Sequence, residues 1–223
     1  MADYGLVVRN ASLDVQIDGT YRNHSFVKAK SVSVVGGNNL NATFGDIDTR
    51  PIVTHELLTA TPLSLYRVYK FGSASYIGCS FTYPFGNALT VDLQVFKQGV
   101  NTLPDYGLIV NNASGNTVFS SEDKHLTFLN NYEATLGHGS ETASIDITVG
   151  DADNNNFILE PFVHKEFVAG NPANSGHQFR GIRKIDASTV RVVNFSAEYP
   201  PGPAFPSTNA WVATLNVIEV RKE

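Results

Sequence analysis

Few residues in this chain have the type and spacing that chemistry requires. Asp151-Ala152-Asp153-Asn154-Asn155 places side-chain oxygens at alternate positions, as calcium loops do. The glycine that such a loop needs at its turn is missing, and no glutamate stands at the twelfth position, so the stretch reads as a solvated turn. The histidines at 24, 55, 125, 138, 164 and 177 show no metal-ligand spacing. Cys79 lies within the apolar run Ile77-Gly78-Cys79-Ser80-Phe81 and reads as a buried structural thiol rather than a nucleophile. No Gly-x-Ser-x-Gly elbow, phosphate-binding glycine loop or His-Glu-x-x-His is present. The sequence therefore predicts no catalytic residue, no metal and no cofactor, and the chain is expected not to be an enzyme.

What remains is contact chemistry. Arg180-Gly181-Ile182-Arg183-Lys184 is the densest basic cluster. It is either a solvated loop edge or a contact for an anionic glycan or an acidic protein. Phe179, Tyr199, Phe205 and Trp211 lie near the same proline- and glycine-rich stretches, where aromatics serve as sugar platforms or interface anchors. Trp211 fits the core better. The candidate interface or glycan contacts are accordingly Arg180, Arg183, Lys184, Tyr199 and Phe205.

These residues must be carried by strands. Leu89, Val91, Leu93 and Val95 alternate cleanly, as do Ile145, Ile147 and Val149, and Trp211, Ala213, Leu215 and Val217. Further strands are predicted over Phe26–Val35, Leu65–Phe71, Tyr76–Tyr83 and Thr189–Phe195, with shorter ones at Val118–Phe119 and His125–Leu129. Phe157–Val168 is a long apolar-rich run, Ile52–Thr59 is ambiguous between helix and strand, and Asn41–Arg50 is polar. Ala169–Gly181 and Glu198–Asn209 read as glycine-, asparagine- and proline-rich loops. Helical periodicity is nearly absent.

The strands are organised by a repeat. Asp3-Tyr4-Gly5-Leu6-Val7-Val8-Arg9-Asn10-Ala11-Ser12 returns as Asp105-Tyr106-Gly107-Leu108-Ile109-Val110-Asn111-Asn112-Ala113-Ser114. The offset of 102 holds without a gap from Asp3–Val27 to Asp105–Leu129, with nine of 25 positions identical. A period of this length is that of a domain rather than a solenoid. Tyr, Leu and Val of the motif share one face of a strand, and that face agrees best between the copies, so it is expected to be core. Near the other end Leu93-Gln94-Val95-Phe96 aligns with Leu215-Asn216-Val217-Ile218, leaving about 20 extra residues in the second copy, between Leu129 and Asn209. The expected fold class is all-β: two tandem repeated β-sandwich domains, 1–103 and 104–223, joined by a short linker at Gln98–Pro104.

Composition agrees with a folded globular chain, at 42% hydrophobic and 17% charged residues. A formal charge of −5 argues against nucleic acid as main partner. A single cysteine excludes an intrachain disulfide. The first residues show no secretory signal, and no apolar stretch reaches membrane-spanning length, so no membrane insertion is expected.

The opening Tyr-Gly-Leu-x-Val-x-Asn-x-Ser, at Tyr4–Ser12 and again from Tyr106, resembles small tail-associated virion proteins of tailed bacteriophages. Those proteins begin with Tyr-Gly-Leu or Tyr-Gly-Ile, a short strand and a turn. The resemblance implies a structural protein of the tail tip, fibre or collar, assembled in the host cytoplasm into the virion. Its partners would be other virion proteins and further copies of itself in a symmetric particle. A receptor-recognition module gripping host surface glycan and a head decoration protein are the alternatives.

Overall fold

A computed structural model describes residues 7–9, 15–18, 23–34, 39–71, 75–84, 88–99, 106–138, 143–160, 164–168, 175–196 and 211–223. The fold is all-β, and no helix occurs among the described residues.

Each copy of the repeat opens with a hairpin. β1 (Val7–Arg9) pairs with β2 (Val15–Asp18), and β9 (Ile109–Asn111) pairs with β10 (Thr117–Ser120). The registers match through the 102-residue offset: Val7 faces Asp18 as Ile109 faces Ser120, and both hairpins carry an irregularity at the same place.

The first half continues with β3 (His24–Val34), β4 (Asn39–Ile47), β5 (Ile52–His55), β6 (Ser64–Phe71), β7 (Ser75–Thr82) and β8 (Leu89–Gln98). The second continues with β11 (Phe128–His138), β12 (Ser144–Thr148), β13 (Asn155–Glu160), β14 (His164–Val168), β15 (Ser175–Asp186), β16 (Thr189–Ser196) and β17 (Trp211–Arg221). The strand orders β5-β8-β3 and β13-β17-β11 are equivalent, as are β4-β7-β6 and β12-β16-β15, with β14 added at one edge.

The two halves share a sheet. β5 and β13 pair antiparallel through His55 and Phe157, so β11-β17-β13-β5-β8-β3 is one six-stranded sheet, three strands from each half. Antiparallel contact between equivalent strands is what a two-fold axis produces. One face of this sheet carries two separate apolar clusters. Val53, Val91, Leu93 and Val95 pack on Ala42, Phe44, Cys79 and Phe81 in the first half. Phe157, Leu215 and Val217 pack on Ile182, Val190 and Val192 in the second. Each cluster thus joins two sheets in a sandwich-like pair of layers. Leu57, just past β5, is the first-half residue that enters the second cluster.

Further main-chain bonds stitch the halves. Leu63 and Ile182 exchange both N–H···O bonds, at 3.1 and 2.9 Å. Phe26 donates to Lys124 (2.7 Å) and Leu126 donates to His24 (2.9 Å), which brings the segment entering β11 against the start of β3. A Cβ on Gly181 would lie 2.9 Å from the Leu63 carbonyl oxygen and 2.7 Å from the Phe195 ring, so the close approach at this seam needs glycine.

Several expectations need correction. Ser175–Gly181 is strand, not loop, and the polar stretch Asn39–Ile47 is also strand. The ambiguous Ile52–Thr59 resolves to a four-residue strand followed by irregular chain. β11 runs nine residues past the predicted Leu129. Equivalence of β8 and β17 is displaced by two residues from the sequence alignment. Lys28 faces Val95 and Asn130 faces Glu219, each just after a bulge, so Val95 corresponds to Glu219 rather than Val217. A slip of two keeps every side chain on its face, which is why alternation alone could not detect it.

Candidate functional site

The predicted basic cluster does not form a cationic patch. Successive side chains of a strand point to opposite faces, and β15 divides the cluster accordingly. Arg180 is turned inward and only 2% exposed. Its Nε donates to Asn194 Oδ1 at 3.1 Å and its Nη2 to the Leu136 carbonyl at 3.1 Å, while burial lowers its pKa. Arg183 reaches across the seam to the Thr59 carbonyl (3.3 Å). Lys184 forms an ion pair with Asp153 at 2.6 Å. Tyr199 and Phe205 lie outside the described residues, as does Trp211 beyond its place in β17.

The Asp151 loop is occupied by its own chain. Asp151 Oδ1 accepts from the main-chain N–H groups of Asp153 and Asn154, both at 3.0 Å, and Oδ2 accepts from the Asn154 amide. The Asn154 side chain, then its main-chain N–H, hold this carboxyl below its usual range. The loop is tied down from beneath by Glu219 on β17. Glu219 is fully buried and accepts five hydrogen bonds: Asn130 Nδ2 (2.9 Å), Tyr132 Oη (2.8 Å) and Gly150 N (3.1 Å) on Oε2, Asp151 N (2.7 Å) and Asn155 Nδ2 (2.8 Å) on Oε1. Desolvation pushes this carboxyl up, but the donors, led by Asn130 and Asn155, outweigh it and hold the pKa below the ordinary value. Burial, followed by the bond to Glu219, raises the Tyr132 phenol to about 12.

A second constellation joins residues a hundred positions apart, out of reach of any sequence motif. Ser25 Oγ lies 2.6 Å from the Gly99 carbonyl, 3.1 Å from Asp123 Oδ2 and 3.4 Å from His125 Nδ1. His125 Nε2 is bonded to the Ser120 carbonyl (2.8 Å), and its ring stacks on Phe119 with centroids 4.5 Å apart. Ser25 is completely buried, and its shortest bond goes to a carbonyl of the main chain. The group closes the seam where the second half meets β3.

The other singled-out side chains are core. Cys79 is buried in the first cluster, and burial raises its thiol to about 12. His55 is buried edge-on to Phe81, its Nδ1 bonded to the Glu56 carbonyl, and burial lowers it to about 4. Among the described residues no three His, Cys, Asp or Glu side chains converge.

The surface feature that stands out is the repeated motif. Tyr106 is 93% exposed and Leu108 44%, with Ile109 also exposed; of the expected core face only Val110 is buried. The hairpin holds its own shape. Asn112 Oδ1 accepts from Ser114 N and Asn116 N, both 3.0 Å, and Gly107 adopts φ 145, a conformation that side chains disfavour. Phe128 (57% exposed) and Leu129, in β11, are further uncovered apolar residues. The expected burial holds for Val110 but not for Tyr106 and Leu108; Tyr4, Gly5 and Leu6 of the first copy lie outside the described residues. Comparison with family models, with curated proteins and with solved structures returns no match.

Proposed function

We propose that the chain is a non-enzymatic structural protein of a tailed-bacteriophage particle, built from two tandem β-sandwich domains, 1–103 and 104–223. It acts by assembly contacts in the tail tip, fibre or collar. The observation that carries this reading is the exposed Tyr106-Gly107-Leu108-Ile109 segment, whose Tyr, Gly and Leu recur at Tyr4, Gly5 and Leu6. Identity between two copies that have diverged elsewhere needs a reason, and in the second copy burial does not supply it. Contact with another molecule does. Exposed Tyr and Leu side chains leading into a hairpin are available to dock, and aromatic anchors carry a large share of interface energy.

The test is mass spectrometry of purified particles of the phage that encodes the chain, with and without Tyr106→Ala combined with Leu108→Ala. The protein is expected in wild-type particles, and the doubly substituted chain is expected to fold but be lost from them. Absence of the wild-type protein from particles would falsify the proposal. A particle map that places it on the capsid would favour the head decoration reading instead.

A further inference from the structure

All five partners of the Glu219 carboxylate are hydrogen-bond donors. Amides of Asn130 and Asn155 and the main-chain N–H groups of Gly150 and Asp151 cannot reverse that role as placed, and only the Tyr132 hydroxyl can rotate to accept. A protonated carboxyl would bring a hydrogen of its own into this ring of donors. At least one partner must then let go, and the remaining bonds lose the charge that made them strong. Two of the bonds are what tie residues 150–151 to the sheet. The fit is close: a Cβ on Gly150 would stand 2.9 Å from Oε1.

No cation bridges to Glu219 among the described residues. Of the titratable groups around it, Tyr132 donates to it, the Asp151 carboxylate is turned onto Asp153 and Asn154, and Asp153 is paired with Lys184. At the equivalent position of the first half stands Val95, so the connection between β4 and β5 has no such tie.

We propose that Glu219 is an acid-operated latch: protonating its carboxylate releases the 150–155 loop while the two-layer fold remains closed. A carboxyl held below its ordinary value stabilises the protein above that value, about 4.3 for glutamate, and the contribution is lost as pH falls through the lowered one. The latch is therefore shut at neutral pH and opens only in acid.

Hydrogen exchange of the full chain between pH 7 and pH 3, corrected for intrinsic rates, tests this. Amides of 148–156 should lose protection by roughly tenfold or more below about pH 4, while 47–53 and β8 keep theirs. Glu219→Gln should leave the loop open at pH 7. Tyr132→Phe, a milder change that removes one donor to the carboxylate, should move the opening midpoint to higher pH. The idea is overturned if the 148–156 and 47–53 amides follow the same pH curve in the wild-type protein, or if Tyr132→Phe leaves the midpoint unmoved.

Discussion

The two halves solve the same packing problem with opposite chemistry at three equivalent positions. In the first, Lys28 and Lys30 on the edge strand β3 face Val95 and Leu93 on β8. Lys30 donates to the Thr43 carbonyl on β4. In the second, Asn130 and Tyr132 on the edge strand β11 face Glu219 and Val217 on β17. The lysines guard an edge, since charged side chains pointing inward at a sheet margin discourage further strand pairing. Asn130 and Tyr132 instead spend their donors on a buried carboxylate that organises the longer connection between β12 and β13. The same backbone can thus close over an apolar pair or over an acid, provided every donor and acceptor around the acid is matched.

The sharpest way to break the comparison is to remove the acid. Glu219→Ala removes a buried carboxylate that accepts five hydrogen bonds from partly exposed partners and should cost about 3 kcal/mol. Val95→Ala removes only two buried methyl groups and should cost about 2 kcal/mol. Urea unfolding midpoints of the two variants, at pH 7 and unchanged m-value, would measure the difference. If Val95→Ala proves the more damaging, the hydrogen-bond cluster is ornament and the second half rests on its apolar cluster alone.

The seam offers the next contrast. Gly181 sits against Leu63 and Phe195 where the halves exchange main-chain bonds, whereas Gly99 has open space around a would-be Cβ and φ 116. Gly181→Ala should cost about 2 kcal/mol through overpacking, and Gly99→Ala about 1 kcal/mol through backbone strain. The two act differently. Exchange protection should fall at Leu63 and Ile182 in the first variant and stay unchanged there in the second.

How much of this could be read from the chain is visible in particular residues. Strand positions with one buried face were legible, because Leu89, Val91, Leu93 and Val95 alternate and the opposite face is mixed. β4 and most of β11 were not, since Asn39–Ile47 and Asn130–His138 lie at sheet edges and carry many polar residues. The correspondence of β1-β2 with β9-β10 followed from the ungapped repeat. The seam could not: His55 against Phe157 and Ser25 against His125 are contacts between segments about a hundred residues apart, and no local pattern encodes them. The basic cluster misled because five neighbouring residues look like a patch only while they are taken for a loop. Once they form a strand, period two buries Arg180 and sends Arg183 across the seam to Thr59.

The smallest expected effect on stability is the most informative about the repeat itself. Tyr106 just precedes the hairpin that contains Val110, and both are identical in the first copy, as Tyr4 and Val8. Val110 is buried, so Val110→Ala should cost about 1.5 kcal/mol. Tyr106 is almost wholly in solvent, and Tyr106→Ala should change the unfolding free energy by less than about 0.5 kcal/mol. Identity between copies would then have two separate causes within five residues of chain: packing for the valine, contact with another molecule for the tyrosine. A loss of more than about 1 kcal/mol on Tyr106→Ala would mean that the ring covers part of its own chain after all. The exposed motif would then say nothing about assembly.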